Sequence, residues 1–203
     1  MAISKLEEME LLLSILDKQQ LCDFIREECV NDRYLMDRFL ALGAGTIYTP
    51  KSTDYQRRIK EIISDFEGRD GFVSYNRTFD LNRAISRIID EADAAMYNQQ
   101  WDVAVSVLEA VATTGEDIIY CGDDSAGELG DIVRQCFEKW YELSIDDSLP
   151  PTMRSKIFEL SLTHFAEGCL KGFDWWWDWV QIAILLADTP DKQERVMNEL
   201  NRI

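Results

Sequence analysis

The sequence predicts an all-α protein in which antiparallel helical hairpins stack into an α-α superhelix, and three observations carry that reading. Apolar residues recur at intervals of three and four along nearly the whole chain. Only 4 Pro and 10 Gly interrupt 203 residues, a balance that suits long helices and short turns. No alternating Val/Thr-rich run competes for the strand period.

The elements follow from the stripes. Tyr55, Ile59, Ile62, Ile63 and Phe66 fall on one helical face, and Leu81, Ile85, Ile88, Ile89, Ala92 and Met96 fall on another. Leu129, Ile132, Val133, Cys136, Phe137, Trp140 and Tyr141 make a third. Each such face requires a partner face. Helix starts are legible at Thr53, with Gln56 three residues on, and at Pro150–Pro151 and Thr189–Pro190. These forms match a capping box and proline in the first turn. The connections are short, so neighbouring helices run antiparallel. Ile88, Ala92 and Ala95, followed by Trp101, Ala104, Leu108 and Val111, have the spacing of a degenerate tetratricopeptide hairpin, where small residues let two helices approach. The expected organisation is one helical domain over residues 1–203, with an N-terminal helical subdomain at 1–50.

Charge narrows the function classes. The formal net charge is -17, from 21 Lys and Arg against 38 Asp and Glu. The excess is concentrated, since residues 101–147 carry 12 acids against Arg134 and Lys139 alone. A field of that sign repels nucleic-acid phosphates and attracts basic surfaces. The expected partner is therefore a basic protein, with no direct nucleic-acid contact and no membrane. Five cysteines, odd in number and without a CxC or CxxC pair, read as buried thiols of a reducing compartment. Glu7, Glu8 and Glu10 stand where a signal peptide would be basic. The run Trp175 to Ala187 is broken by Asp178 and Gln181, short of the ~20 residues of a bilayer span. The expected location is the cytoplasm.

Two segments look chemical. CGDDSAGELGDI, Cys121 to Ile132, fails as a calcium loop, because aligning Gly127 at the sixth position puts Gly122 and Ala126 where oxygen ligands belong. FEGRDGFVSYNR, Phe66 to Arg77, fails because Phe66 and Arg77 occupy the first and last ligand positions. The first segment reads instead as a helix start, with Ser125 and Glu128 as a capping box and Asp123 and Asp124 complementing the helix dipole. Gly130, inside the third stripe, implies a closely crossing neighbour. In FDWWWDWV, Phe173 to Val180, Phe173, Trp176, Trp177 and Val180 share one helical face, and Trp175 and Trp179 share another. Two apolar faces mark either a central helix or one reserved for a partner. Asp123, Asp124, Trp175 and Trp179 are accordingly the candidate partner-binding residues. No catalytic residue, metal ligand or cofactor is assigned: the single histidine, His164, and Cys169 are five apart and on different helical faces. The competing expectations are a divalent-metal-dependent hydrolase using acids such as Asp123, Asp124 and Asp131, and an acidic nucleic-acid mimic that inhibits a basic enzyme.

The segments ELLLSILDKQQLCDFI, DYQRRIKEII with RDGFVSYNRTFDL, MYNQQWDVAVSVLEAV and CGDDSAGELGDIV resemble the helical-repeat region that accompanies SWIM-type zinc fingers in bacterial proteins, over about residues 8–200. The resemblance implies a tetratricopeptide-like superhelical scaffold with no catalytic residues to transfer. The finger's CxC and CxH pairs are missing, so zinc and nucleic-acid binding are not carried over. Met1 and the absence of a ragged linker favour a free-standing relative of the scaffold.

Overall fold

The computed structural model describes residues 4–32, 35–36, 39–40 and 49–202. The chain divides into two compact units, Met1–Gly43 and Ala44–Ile203. Every element delineated among the described residues is a helix.

The first unit contains α1 (Lys5–Ile15) and α2 (Lys18–Asn31). Both begin with a reciprocal capping box, Ser4 with Glu7 and Asp17 with Gln20, which satisfies two otherwise orphaned backbone donors at each start. No residue of α1 is buried, and Leu6 and Ile15 are about two-thirds exposed, at 65% and 67%. On α2 only Cys29 is buried.

The second unit is built from α3 (Ser52–Phe66), α4 (Tyr75–Tyr97), α5 (Trp101–Thr113), the single-turn-and-a-half α6 (Gly115–Tyr120), α7 (Glu128–Ile145), α8 (Pro151–Glu167), α9 (Trp176–Leu185) and α10 (Pro190–Leu200). The predicted stripes are the buried faces: Tyr55, Ile59 and Ile63 on α3, Leu81, Ile85, Ile88, Ile89 and Ala92 on α4, and Leu129 to Trp140 on α7. The α4–α5 hairpin closes through a short turn in which Gln99 takes a positive φ of 57°. Ala92, Ala95, Ala104 and Leu108 are all buried there, where small side chains bring the two axes together.

Helix α5 occupies the centre. Its sequence WDVAVSVLEAVAT is apolar except for one narrow stripe, Asp102, Ser106, Glu109 and Thr113, and so wide an apolar face needs neighbours on several sides. It packs against α3, α4, α6, α7 and α8. Helix α4 also lies along α7, and α9 packs on α8 and α7, with α10 closing the end against α8 and α9. A part-buried ion pair ties α3 to α4, with Arg58 donating to both carboxylate oxygens of Glu91 at 2.6 and 3.0 Å, and the Arg58 guanidinium lies over the Tyr55 ring.

One predicted start is corrected here. Helix α3 begins at Ser52 with Lys51 as cap, and Asp54, not Gln56, reaches back to accept the Lys51 N–H at 3.0 Å; the Gln56 amide instead donates to the Thr113 hydroxyl on α5. The Pro151 start of α8 and the Thr189–Pro190 start of α10 form as expected, with the Thr189 hydroxyl accepting from Lys192 N–H at 3.3 Å.

Candidate protein-binding surface

The acidic segment Cys121–Ile132 is tied down at its start. Val73 N–H donates to Cys121 C=O at 2.8 Å and Asp123 N–H donates to Val73 C=O at 3.0 Å, forming an isolated parallel bridge between Val73 and Gly122. A Cβ on Gly122 would lie 2.7 Å from the Val73 carbonyl oxygen, so the bridge needs glycine there.

The α7 start differs from the predicted capping box. Its cap residue is Gly127, in a left-handed conformation, and Ser125 makes no capping bond. Asp124 caps in its place, accepting Leu129 N–H at 2.7 Å and Gly130 N–H at 3.0 Å on its two carboxylate oxygens. The left-handed turn swings the chain so that a carboxylate five residues upstream reaches donors the Ser125 hydroxyl misses. Asp123 accepts the Ser125 N–H at 3.1 Å, and hydrogen bonds from Ser125 hold its carboxyl below the usual range.

Carboxylates from separate elements gather around this loop. Burial above all, then the charges of Glu67 at the end of α3, Asp124 and Asp117 on α6, push the Cys121 thiol up to about 11. Asp117 is partnered by Lys60 across 3.2 Å on an exposed pair. Glu116, one helical turn before Tyr120, is exposed.

Beside the acids runs an aromatic ladder. Tyr120, 69% exposed, has its ring centroid 5.8 Å from that of Phe173, and Phe173 stands 5.8 Å from Trp175. Trp175 closes on the acidic loop: a Cβ at Gly130 would meet its Cη2 atom at 3.3 Å and the Asp124 carboxylate at 3.4 Å. Gly130 is therefore small for the Trp175 ring, and the predicted crossing helix is replaced by a side chain from the turn before α9. Three of the sequence-predicted residues, Asp123, Asp124 and Trp175, are thus brought together. The sequence reading missed Glu67, Asp117, Tyr120 and Phe173, which join them only through contacts of long sequence separation.

Trp179 does not join them, and its assignment to a partner surface is corrected. Helix α9 begins only at Trp176, so its core face combines Trp176, Trp179, Val180 and Ala183, at i, i+3, i+4 and i+7. Trp179 is fully buried, edge-on to Phe137 and Trp140 at 5.0 and 5.8 Å. Trp177 is the tryptophan of this helix that faces outward, 44% exposed.

The other chemical candidates have structural surroundings. His164 lies 4.7 Å over Trp179, with Nε2 3.4 Å from a Glu109 carboxylate oxygen. Burial above all pushes the Cys169 thiol up to about 11. A thiol so raised is a poor nucleophile near neutrality. Asp131 pairs with Arg134 at 3.0 Å, and Asp146 accepts the Ser148 N–H and hydroxyl at a turn. Among the described residues no group of three or more His, Cys, Asp or Glu side chains is placed to hold a metal ion. Among the same residues no helix is long and apolar enough to cross a membrane. Comparison with family models, curated proteins and solved structures finds no significant match to this chain.

Proposed function

We propose that the protein is a non-enzymatic interaction scaffold of the helical-repeat type, tetratricopeptide-like in its hairpins, and that its acidic, aromatic surface binds a basic protein partner. The observation that carries the reading is the ladder Tyr120–Phe173–Trp175 standing against the acidic loop at Asp124 and Gly130. Partly exposed aromatic rings are enriched at interaction surfaces, and the acids beside them favour a partner of opposite charge. The resemblance to the repeat region that accompanies SWIM-type zinc fingers points the same way, toward a scaffold that works through contact.

The test uses the full chain immobilised as a column over native lysate, beside the variant Glu116→Gln/Asp117→Asn/Asp123→Asn, which spares the Asp124 cap. Basic proteins retained by the wild type, released by salt and absent from the variant column support the reading. Identical retention on both columns overturns it.

A further inference from the structure

We infer that the Tyr120–Phe173–Trp175 ladder receives arginine side chains of an extended basic segment in a protein partner, with the guanidinium stacked on the rings and Glu116, Asp117 and Asp123 supplying the counter-charge. This rests on the interaction-scaffold reading and specifies the chemistry of its partner.

The ladder has the right parts for that occupant. An aromatic face carries a negative quadrupole and attracts a cation placed over it. Phe173 and Trp175 are half-buried and packed against the core, while Tyr120 is mostly exposed, so the ladder is fixed by packing at one end and accessible at the other. Gly130 and the Asp124 cap hold Trp175 from behind. Glu116 and Asp117 lie four and three residues before Tyr120 on α6, on its side of the helix. Guanidinium is favoured over ammonium because it is planar, stacks on rings and still donates to carboxylates from its edge. The chain itself uses that pairing repeatedly: Arg58 lies 5.3 Å over Tyr55, Arg77 5.1 Å over Phe66, Arg83 5.9 Å over Phe79 and Arg195 5.1 Å over Phe158. Among the described residues no cation stands over Tyr120, Phe173 or Trp175. Within this acidic region Lys60 is engaged with Asp117, and the two remaining bases between residues 101 and 147, Arg134 and Lys139, are paired to acids of their own. Among the described residues Glu116 and Asp123 form no ion pair, so these two acids offer charge to a cation from outside the chain, and Asp117 can exchange its exposed Lys60 for it.

The experiment measures fluorescence anisotropy of a labelled octapeptide of alternating arginine and glycine on the full chain. The same peptide with lysine, or with neutral citrulline, is the control. Tyr120→Ala and Trp175→Leu leave the charge unchanged, so a purely Coulombic attraction does not register them; Trp175→Phe keeps a ring and guards against loss of folding, checked by helical ellipticity. Expected are tightest binding of the arginine peptide, a loss of about two- to fivefold for Tyr120→Ala and for Trp175→Leu, and recovery in Trp175→Phe. Equal affinity of the wild type and both aromatic variants, or equal affinity for the arginine and lysine peptides, overturns the inference. If the triple carboxylate variant also binds as well as the wild type, the acidic-surface reading falls with it; if only the aromatic variants are silent, that reading stands alone.

Discussion

Tyr141 on α7 donates its hydroxyl hydrogen to Asp178 on α9 across 2.6 Å, the polar link between two helices that otherwise meet through tryptophan and phenylalanine. The two groups are half-buried, and their environment sets a pH dependence. Burial raises the Asp178 carboxyl above its usual range, with Asp174 adding to the rise and the Tyr141 hydrogen bond only partly opposing it.

A carboxyl whose folded value is raised favours the native state most below its unfolded value, and that stability is lost as pH rises through the folded one. Asp178→Asn keeps an acceptor for Tyr141 and removes the charge. The expected outcome is a Tm about 2 °C higher than wild type at pH 7, shrinking toward zero at pH 3, followed by circular dichroism. A lower Tm for the variant at neutral pH would contradict the burial argument.

Asp124 is the cap of α7 and Asp123 is not. Asp124→Ala removes the acceptor of two backbone donors at once and is expected to cost about 1–2 kcal/mol, whereas Asp123→Ala and Ser125→Ala stay within about 0.5 kcal/mol of wild type. Urea titrations of the three variants decide it, and equal losses for Asp123 and Asp124 would refute the assignment.

Gly130 and Trp175 are coupled. Alanine is favoured over glycine in a helix by up to about 1 kcal/mol, here in the first turn of α7, but a Cβ at this position lies 3.3 Å from the Trp175 ring. Gly130→Ala is therefore expected to be close to neutral in the wild type and stabilising by about 1 kcal/mol in a Trp175→Leu background. Strict additivity of the two changes in a double-mutant cycle would show that the ring does not press on the glycine.

The Arg58–Glu91 pair is buried on the glutamate side. Glu91→Ala removes the buried carboxylate that faces the Arg58 guanidinium and is expected to cost about 3 kcal/mol, while Arg58→Met/Glu91→Leu restores most of that loss, since apolar replacement of a buried pair is often neutral. Denaturation midpoints of the single and double variants measure it.

Thiol titration reads the core directly. Cys22 is exposed, while Cys29, Cys121 and Cys136 are buried and Cys169 is half-buried. In the native protein one thiol should react promptly with a disulfide reagent, and all five only after denaturant is added.

The helical faces were readable because burial imposes its own period on the residues it uses. Tyr55, Ile59 and Ile63, and the run from Leu129 to Trp140, repeat at three and four for no reason but their common neighbour. Helix ends were less readable. Asp123, Asp124 and Ser125 all have capping chemistry, and the backbone reversal at Gly127 selects Asp124 in a way that residue type does not encode. The tryptophan segment misled for a related reason: assigning faces requires knowing where the helix starts, and a start at Trp176 puts Trp175 in a turn and Trp179 in the core. Tyr120 and Phe173 stand fifty-three positions apart, and their pairing depends on how α6 and the turn before α9 pack, which no local pattern reports. The superhelical stacking order and the basic partner rest on the proposal above and its tests.

Helix α5 draws neighbours from segments that begin as early as residue 52 and end as late as residue 167. Its amides are therefore the last to exchange with solvent, because exposing them requires several other helices to leave first. A truncation that removes either α3 or α8 uncovers the wide oily face of a rod whose hydrophilic side is the narrow line Asp102, Ser106, Glu109 and Thr113, so fragments of the second unit are expected to precipitate rather than fold. The unit has to be made whole to be made at all.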